Sequence, residues 1–145
     1  MQKPYKTVAK FKAVPLSKDS YHIFVNVVVN ATKAIFIIDT GASGTVIDQG
    51  FYLKKLASKQ KKINQEVRGL NSVQYEMHVG VLKTLKIGKS EMKNVKVSSL
   101  SLDHVNEAYK KNNLKFRIQG ILGSDILLKE GWLIDYKNLA IGSWE

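Results

Sequence analysis

The sequence contains no cysteine. That excludes a disulfide scaffold, a thiolate zinc site and a cysteine nucleophile. Arginine is scarce, with Arg68 and Arg117 as the only two. Base readout and stacking on single strands favour arginine and interleaved aromatics, so nucleic acid is not the expected partner. Histidine occurs at His22, His78 and His104. These are far apart and lack ligand spacing, so no metal and no cofactor is expected. No apolar stretch approaches the roughly 20 residues that cross a bilayer. Met1 to Lys6 has no secretory apolar region, which implies a cytoplasmic protein if the chain is complete, or an exported one if a leader has been removed. Linkers, low-complexity tracts and internal repeats are also missing. One domain spanning residues 1–145 is the expectation.

What is present is charge and a core. Apolar residues make up 44% of the 145, and the formal net charge is +11. Lysine supplies nearly all of it, with a local cluster at Lys54, Lys55, Lys59, Lys61 and Lys62. A solvated face that aids solubility accounts for this cluster. A basic domain that binds an anion or nucleic acid is the alternative.

The patterning is mainly β. Tyr21 to Asn30 is rich in Val, Ile and Phe, Asn30-Ala31-Thr32 has turn chemistry, and Ala34 to Ile38 is apolar on both faces. Those features predict a hairpin whose second strand is central. Asp48 is placed to cap a helical stretch from Phe51 to Lys59. Ile63 to Val81 reads as an exposed hairpin turning near Gly69-Leu70-Asn71-Ser72. Val81 to Gly88 and Met92 to Val97 add strands around a turn at Gly88-Lys89-Ser90. Asp103 to Lys110 is a candidate short helix, and Ser124 a candidate cap for another that stops at Gly131. Trp132 to Tyr136 and Leu139 to Ile141 read as a closing hairpin.

The chemistry is concentrated where Ala34-Ile35-Phe36-Ile37-Ile38 runs into Asp39-Thr40-Gly41-Ala42-Ser43. An ionisable group at the rim of a core is costly unless it is used. The triplet alone is a weak signal; at average usage it arises by chance in roughly one chain in thirty of this length. It also fits a strand-end turn in which Asp bonds backbone N–H groups. The later Gly120-Ile121-Leu122-Gly123, before a short helix, strengthens the first reading.

Together the two motifs resemble the retropepsin-like aspartic peptidases. That resemblance implies a mainly β fold: a closed acid-protease barrel with a flap hairpin and one or two short helices. It also implies an aspartic endopeptidase acting on polypeptides. Asp39 matches the catalytic aspartate, Thr40 the hydroxyl that braces the active-site loops, and Gly41 the close approach to substrate. Ala42 matches the small residue of retroviral members, and Ser43 completes the loop. Ile121-Leu122-Gly123 matches the element packed behind that loop. Gly69, Leu70 and Asn71 fall where the family carries its flap.

Such chemistry needs two carboxylates sharing one proton. Asp19, Asp48, Asp103, Asp125 and Asp135 do not stand before Thr-Gly or Ser-Gly. A second copy of Asp39, brought by a homodimer, is therefore expected, with Trp132 to Glu145 as the suspected interface. A catalytically inactive peptide-binding module on the same fold is the other alternative.

Overall fold

A computed structural model describes residues 4–56, 64–68 and 74–144, and six of its strands close into a ring. The chain opens with β1 (Tyr5–Ser17), β2 (Ser20–Val29), β3 (Thr32–Ile38) and β4 (Val46–Asp48). A short helix α1 (Gln49–Phe51) continues as a π-turn over Tyr52–Leu56. Then come β5 (Asn64–Arg68), β6 (Gln74–Ile87), β7 (Ser90–Leu100), α2 (Asp103–Lys111), β8 (Gly120–Leu122), α3 (Ser124–Glu130), β9 (Trp132–Asp135) and β10 (Ala140–Trp144). Around the barrel the order is β2-β3-β8-β4-β7-β6, and β6 returns to β2 through Val28↔Lys86 and Val29↔Leu85.

The ring is filled by the inward positions of alternating strands. Val25, Val27 and Val29 of β2 meet Ala34, Phe36 and Ile38 of β3, with Ile47, Leu82, Leu85, Ile87, Val97 and Leu122. Each of the larger of these side chains, Ala34 apart, contributes roughly 1.5–3 kcal/mol by leaving water. Packing is tight enough to dictate Gly120: a Cβ there would lie 2.4 Å from the ring of Phe36.

Outside the ring, β1 joins two sheets. Its first half pairs with β10 and its second half with β2. Asp135 anchors the closing hairpin, accepting from Asn138 N at 3.0 Å, Asn138 Nδ2 at 2.7 Å and Tyr5 Oη at 2.8 Å. Those bonds, led by the Asn138 side chain, hold its carboxyl down at about 2.

Some expectations hold and others are corrected. There are three short helices among the described residues, not one or two, because the polar stretch after Leu102 does fold as α2. Asp48 does cap α1, accepting from Phe51 N at 3.1 Å. Ser124 does not cap α3; Gly123 holds that position and Gly131 closes the helix with φ +65°. The strands expected to meet near Val81 are one strand, β6, because alternation continues across Gly80-Val81-Leu82. Lys54 and Lys55 are exposed; Lys59, Lys61 and Lys62 lie outside the described residues.

A second apolar cluster lies outside the ring. α2 covers it, presenting buried Asn106 and Tyr109 inward. Asn106 accepts from Ile118 N at 2.8 Å and donates to Ile118 O at 3.0 Å. Asn106→Leu removes both bonds and strands two buried backbone groups. Such orphans cost about 1–3 kcal/mol each. The expected loss is about 2–6 kcal/mol in urea unfolding. A loss of about 0.5 kcal/mol or less, typical of surface sites, would show that α2 is not pinned this way.

Candidate active site

β3 and β8 run parallel, with Phe36↔Gly120 and Ile38↔Leu122 as the ends of their register. Both strands stop at one rim, and the pairing goes one step further: Asp39 N donates to Leu122 O at 3.0 Å. The motifs 39–43 and 120–123, about eighty residues apart in sequence, thus meet side by side.

The loop after Asp39 is tight. Ala42 N donates to Asp39 O at 3.1 Å, and Gly41 N donates to Asp39 Oδ1 at 2.9 Å. A Cβ on Gly41 would sit 3.2 Å from that same Oδ1. Glycine therefore lets the backbone N–H approach the carboxylate it orients. Asp39, Thr40, Gly41 and Ser43 are exposed, and Ala42 is half-buried.

Behind the loop, three groups stitch it to the start of α3. Ser124 N donates to Ala42 O at 2.8 Å. Gly123 N donates to Thr45 Oγ1 at 3.0 Å, and Thr45 Oγ1 donates to Asp125 Oδ1 at 2.7 Å. Asp125 Oδ2 also accepts from Thr45 N at 3.1 Å. Leu122 is fully buried in the ring, while Ile121 is half-buried on the outer cluster. Sequence patterning does not single out Thr45, and of Asp125 it shows only that no Thr-Gly or Ser-Gly follows it. The signal was there: a buried threonine needs a partner for its hydroxyl, and Asp125 directly follows the Gly123-Ser124 step.

The other aspartates are occupied elsewhere. Asp48 Oδ1 accepts from Leu102 N at 2.8 Å, Asp103 faces Arg117 at 3.4 Å, and Asp19 sits in a turn with φ +62°. The flap expectation falls on Gly69, Leu70 and Asn71, which lie outside the described residues. The arms leading to them are paired antiparallel, from Asn64↔His78 to Arg68↔Gln74.

Near Asp39 stands an aromatic group that the sequence reading also missed. Tyr109 Oη and His22 Nδ1 share a hydrogen bond of 2.8 Å. Burial, and after it the charge of Asp39, push the Tyr109 phenol up to about 12. Among the described residues no three histidine or acidic side chains are grouped to hold a metal ion.

The aspartyl protease family model matches residues 25–126, a span that contains both motifs. The chain belongs to that family, and its fold is retropepsin-like. It is similar to a retropepsin-like aspartic protease from Rickettsia conorii, with 23% identity, 96% of this chain and 90% of that chain covered, and a TM-score of 0.57. The protease of EIAV, solved with the inhibitor HBY-793, aligns at 21% identity over 74% of this chain and 86% of its own, with a TM-score of 0.50. The retroviral protease-like domain of Ddi1 from Leishmania major aligns at 13% identity, 81% and 90% coverage, and a TM-score of 0.50. Sequence comparison with curated proteins finds no match.

Proposed function

We propose that this protein is an aspartic endopeptidase whose active site forms between two copies of the chain, each giving one Asp39. The observation that carries the reading is an exposed carboxylate, oriented by Gly41 N, on a loop stitched to the neighbouring strand end.

Two such carboxylates about 3 Å apart cannot both ionise, so the pair holds a single proton. The charged member takes a proton from a water between them. The protonated member donates to the scissile carbonyl oxygen as water attacks. The tetrahedral intermediate collapses and the leaving amine is protonated. The titration belongs to the pair. Thr40, exposed beside Asp39, would brace one loop against its symmetry mate.

Support for the two-fold arrangement comes from the closing hairpin. β10 is paired on both sides, by β1 and β9, whereas among the described residues β9 ends the sheet with an open edge. An open edge is a template for pairing with a second copy. Leu128, on the helix leading into β9, is 84% exposed. Both features lie in or beside the segment Trp132 to Glu145.

Cleavage is therefore expected to depend on assembly. Specific activity on a fluorogenic peptide should fall as the protein is diluted, in step with the dimer fraction from sedimentation. A statine-type mimic of the tetrahedral intermediate should inhibit. Undiminished specific activity in a sample that sediments only as monomer would overturn the shared site.

A further inference from the structure

The outer wall of the barrel carries a cavity of about 670 Å³ against β2, β3 and the end of β6. Val28 is its centre. It is level with Lys33 of β3 on one side and with Lys86 of β6 on the other. Val27, Val29, Ala34, Leu85 and Ile87, their neighbours in sequence, point into the core. Val28 and both lysines therefore point outward, on one face. Adjacent strands lie about 4.8 Å apart, which sets the two lysine backbones roughly 10 Å apart. Lys33 is six residues from Asp39 along an extended chain, so the cavity stands roughly 20 Å from that carboxylate.

The cavity is preformed, as binding sites mostly are. Its lining sets half-buried Val28 and Ile35 beside the amides of Asn26 and Gln119. Gln119 is fixed at both ends of its own residue. Its N donates to Ile35 O at 2.8 Å, and its Oε1 accepts from Ile35 N at 2.7 Å. The turn between β2 and β3 is fastened to β6: Asn30 N donates to Thr84 O at 3.0 Å, and Thr84 N donates to Asn30 Oδ1 at 3.1 Å.

The charge in it has one sign. No carboxylate lines the cavity, and among the described residues neither Lys33 nor Lys86 forms an ion pair. Glu91 of β7 is level with Lys86, yet it lines a different cavity, with Lys93 and Lys96. Two exposed cations over an apolar patch, on a chain of net charge +11, complement an anionic occupant. The lining has no arginine and no aromatic ring, the groups that grip phosphates bidentately and stack bases. A lysine ammonium is a point charge, which a single carboxylate satisfies.

We propose that this cavity docks an acidic segment of a polypeptide, with the pattern acidic-x-apolar-x-acidic. Side chains on one face of an extended peptide recur about every 6.8 Å. The apolar residue then lies over Val28 and Ile35. The outer carboxylates, roughly 14 Å apart, meet the two ammoniums, whose flexible stems splay to reach them. This docking is separate from the chemistry proposed for Asp39.

The test is fluorescence anisotropy with a labelled peptide containing Glu-Ser-Leu-Ser-Glu. An Asp39→Asn background keeps the probe uncut, so the result does not depend on the endopeptidase reading. A Gln-Ser-Leu-Ser-Gln version should bind about fivefold more weakly, as loss of two exposed charge pairs does. Lys33→Glu with Lys86→Glu should weaken the parent peptide about tenfold or more, because two attractions become repulsions. Lys18→Glu with Lys110→Glu removes the same charge from two exposed sites outside the cavity. That pair should cost less than about threefold, since distant exposed charges are screened. If the reversed protein does not fold, Lys33→Gln with Lys86→Gln reads the same direction with a smaller change. Equal weakening in the two reversed proteins would mean that net charge alone attracts the peptide, and overturns the inference. Equal affinity for the neutral and acidic peptides, or no binding at millimolar peptide, overturns it too. Single-stranded DNA that binds more tightly than the peptide, and loses that affinity with Lys33 and Lys86, would assign the cavity to nucleic acid instead.

Discussion

Asp39→Asn is expected to lower peptide cleavage by at least about a thousandfold, as loss of positioned acid–base chemistry does, while leaving the fold intact. An amide has almost the shape of the carboxylate, and its oxygen can still accept from Gly41 N, which lies 2.9 Å from Asp39 Oδ1. The side chain is exposed, so its neutralisation carries little desolvation change. Stability should move by about 0.5 kcal/mol or less, the range of ordinary surface substitutions. The chemistry cannot survive, because in the proposed dimer both positions become amides. No group then remains that takes a proton from water near neutral pH. Mixing provides a sharper form of the same experiment. Excess variant added to wild-type protein should silence it as subunits exchange, because a mixed pair holds one carboxylate. Activity above about a tenth of wild type, an effect far smaller than general-base loss produces, would remove Asp39 from the reaction. Variant protein that leaves wild-type activity untouched despite demonstrated subunit exchange would remove the shared site.

Much of the barrel was legible because its signals are local. The hairpin of β2 and β3 follows from Val and Ile content around Asn30 and Ala31, both of which take positive φ. The turn at Gly88 and the closing hairpin follow from similar chemistry. β1 carried an equally clear alternation, exposed Lys10 and Lys12 against buried Ala9 and Phe11. Interleaved lysines dilute its apolar signal, and it lies ahead of the Val- and Ile-rich runs. Its partners are also remote: β10 lies at the far end of the chain.

The site was legible only in part, for a related reason. A strand ending in Asp39-Thr40-Gly41 can be found by reading along the chain. That Leu122 O would receive Asp39 N could be expected only from the family resemblance, since parallel pairing leaves no turn signal between its strands. Thr45 and Asp125 were harder still. Their bond spans eighty residues, and each has a plausible local role in isolation. Tyr109 sits in a stretch whose composition is polar; only packing against Phe24 and His22 reveals which face of α2 is covered.

Gly123→Ala should be damaging although it adds a single methyl, and the reason is steric. Gly123 has φ −97° and ψ 178°, an extended conformation open to alanine, so backbone strain is not the issue. A Cβ there would lie 2.8 Å from both C and O of Gly44 and 2.9 Å from Ala42 O. These are backbone atoms of the loop that begins at Asp39, and no rotamer change moves them aside. The loop cannot simply lift, because Ser124 N holds Ala42 O at 2.8 Å and Gly123 N holds Thr45 Oγ1 at 3.0 Å. Relief requires stretching those bonds or shifting the Asp39 loop as a unit. Overpacking of this kind costs about 1–3 kcal/mol. A shift of about 1 Å in a reacting group costs on the order of a hundredfold in rate. Gly44→Ala is the matched comparison in the same loop: a Cβ at that position meets nothing within 4 Å. It should keep its stability to within about 0.5 kcal/mol. Thermal melts and kcat of the two variants, measured side by side, check the argument. Equal stability and kcat in Gly123→Ala and wild type would mean that the element behind the loop does not set the position of Asp39.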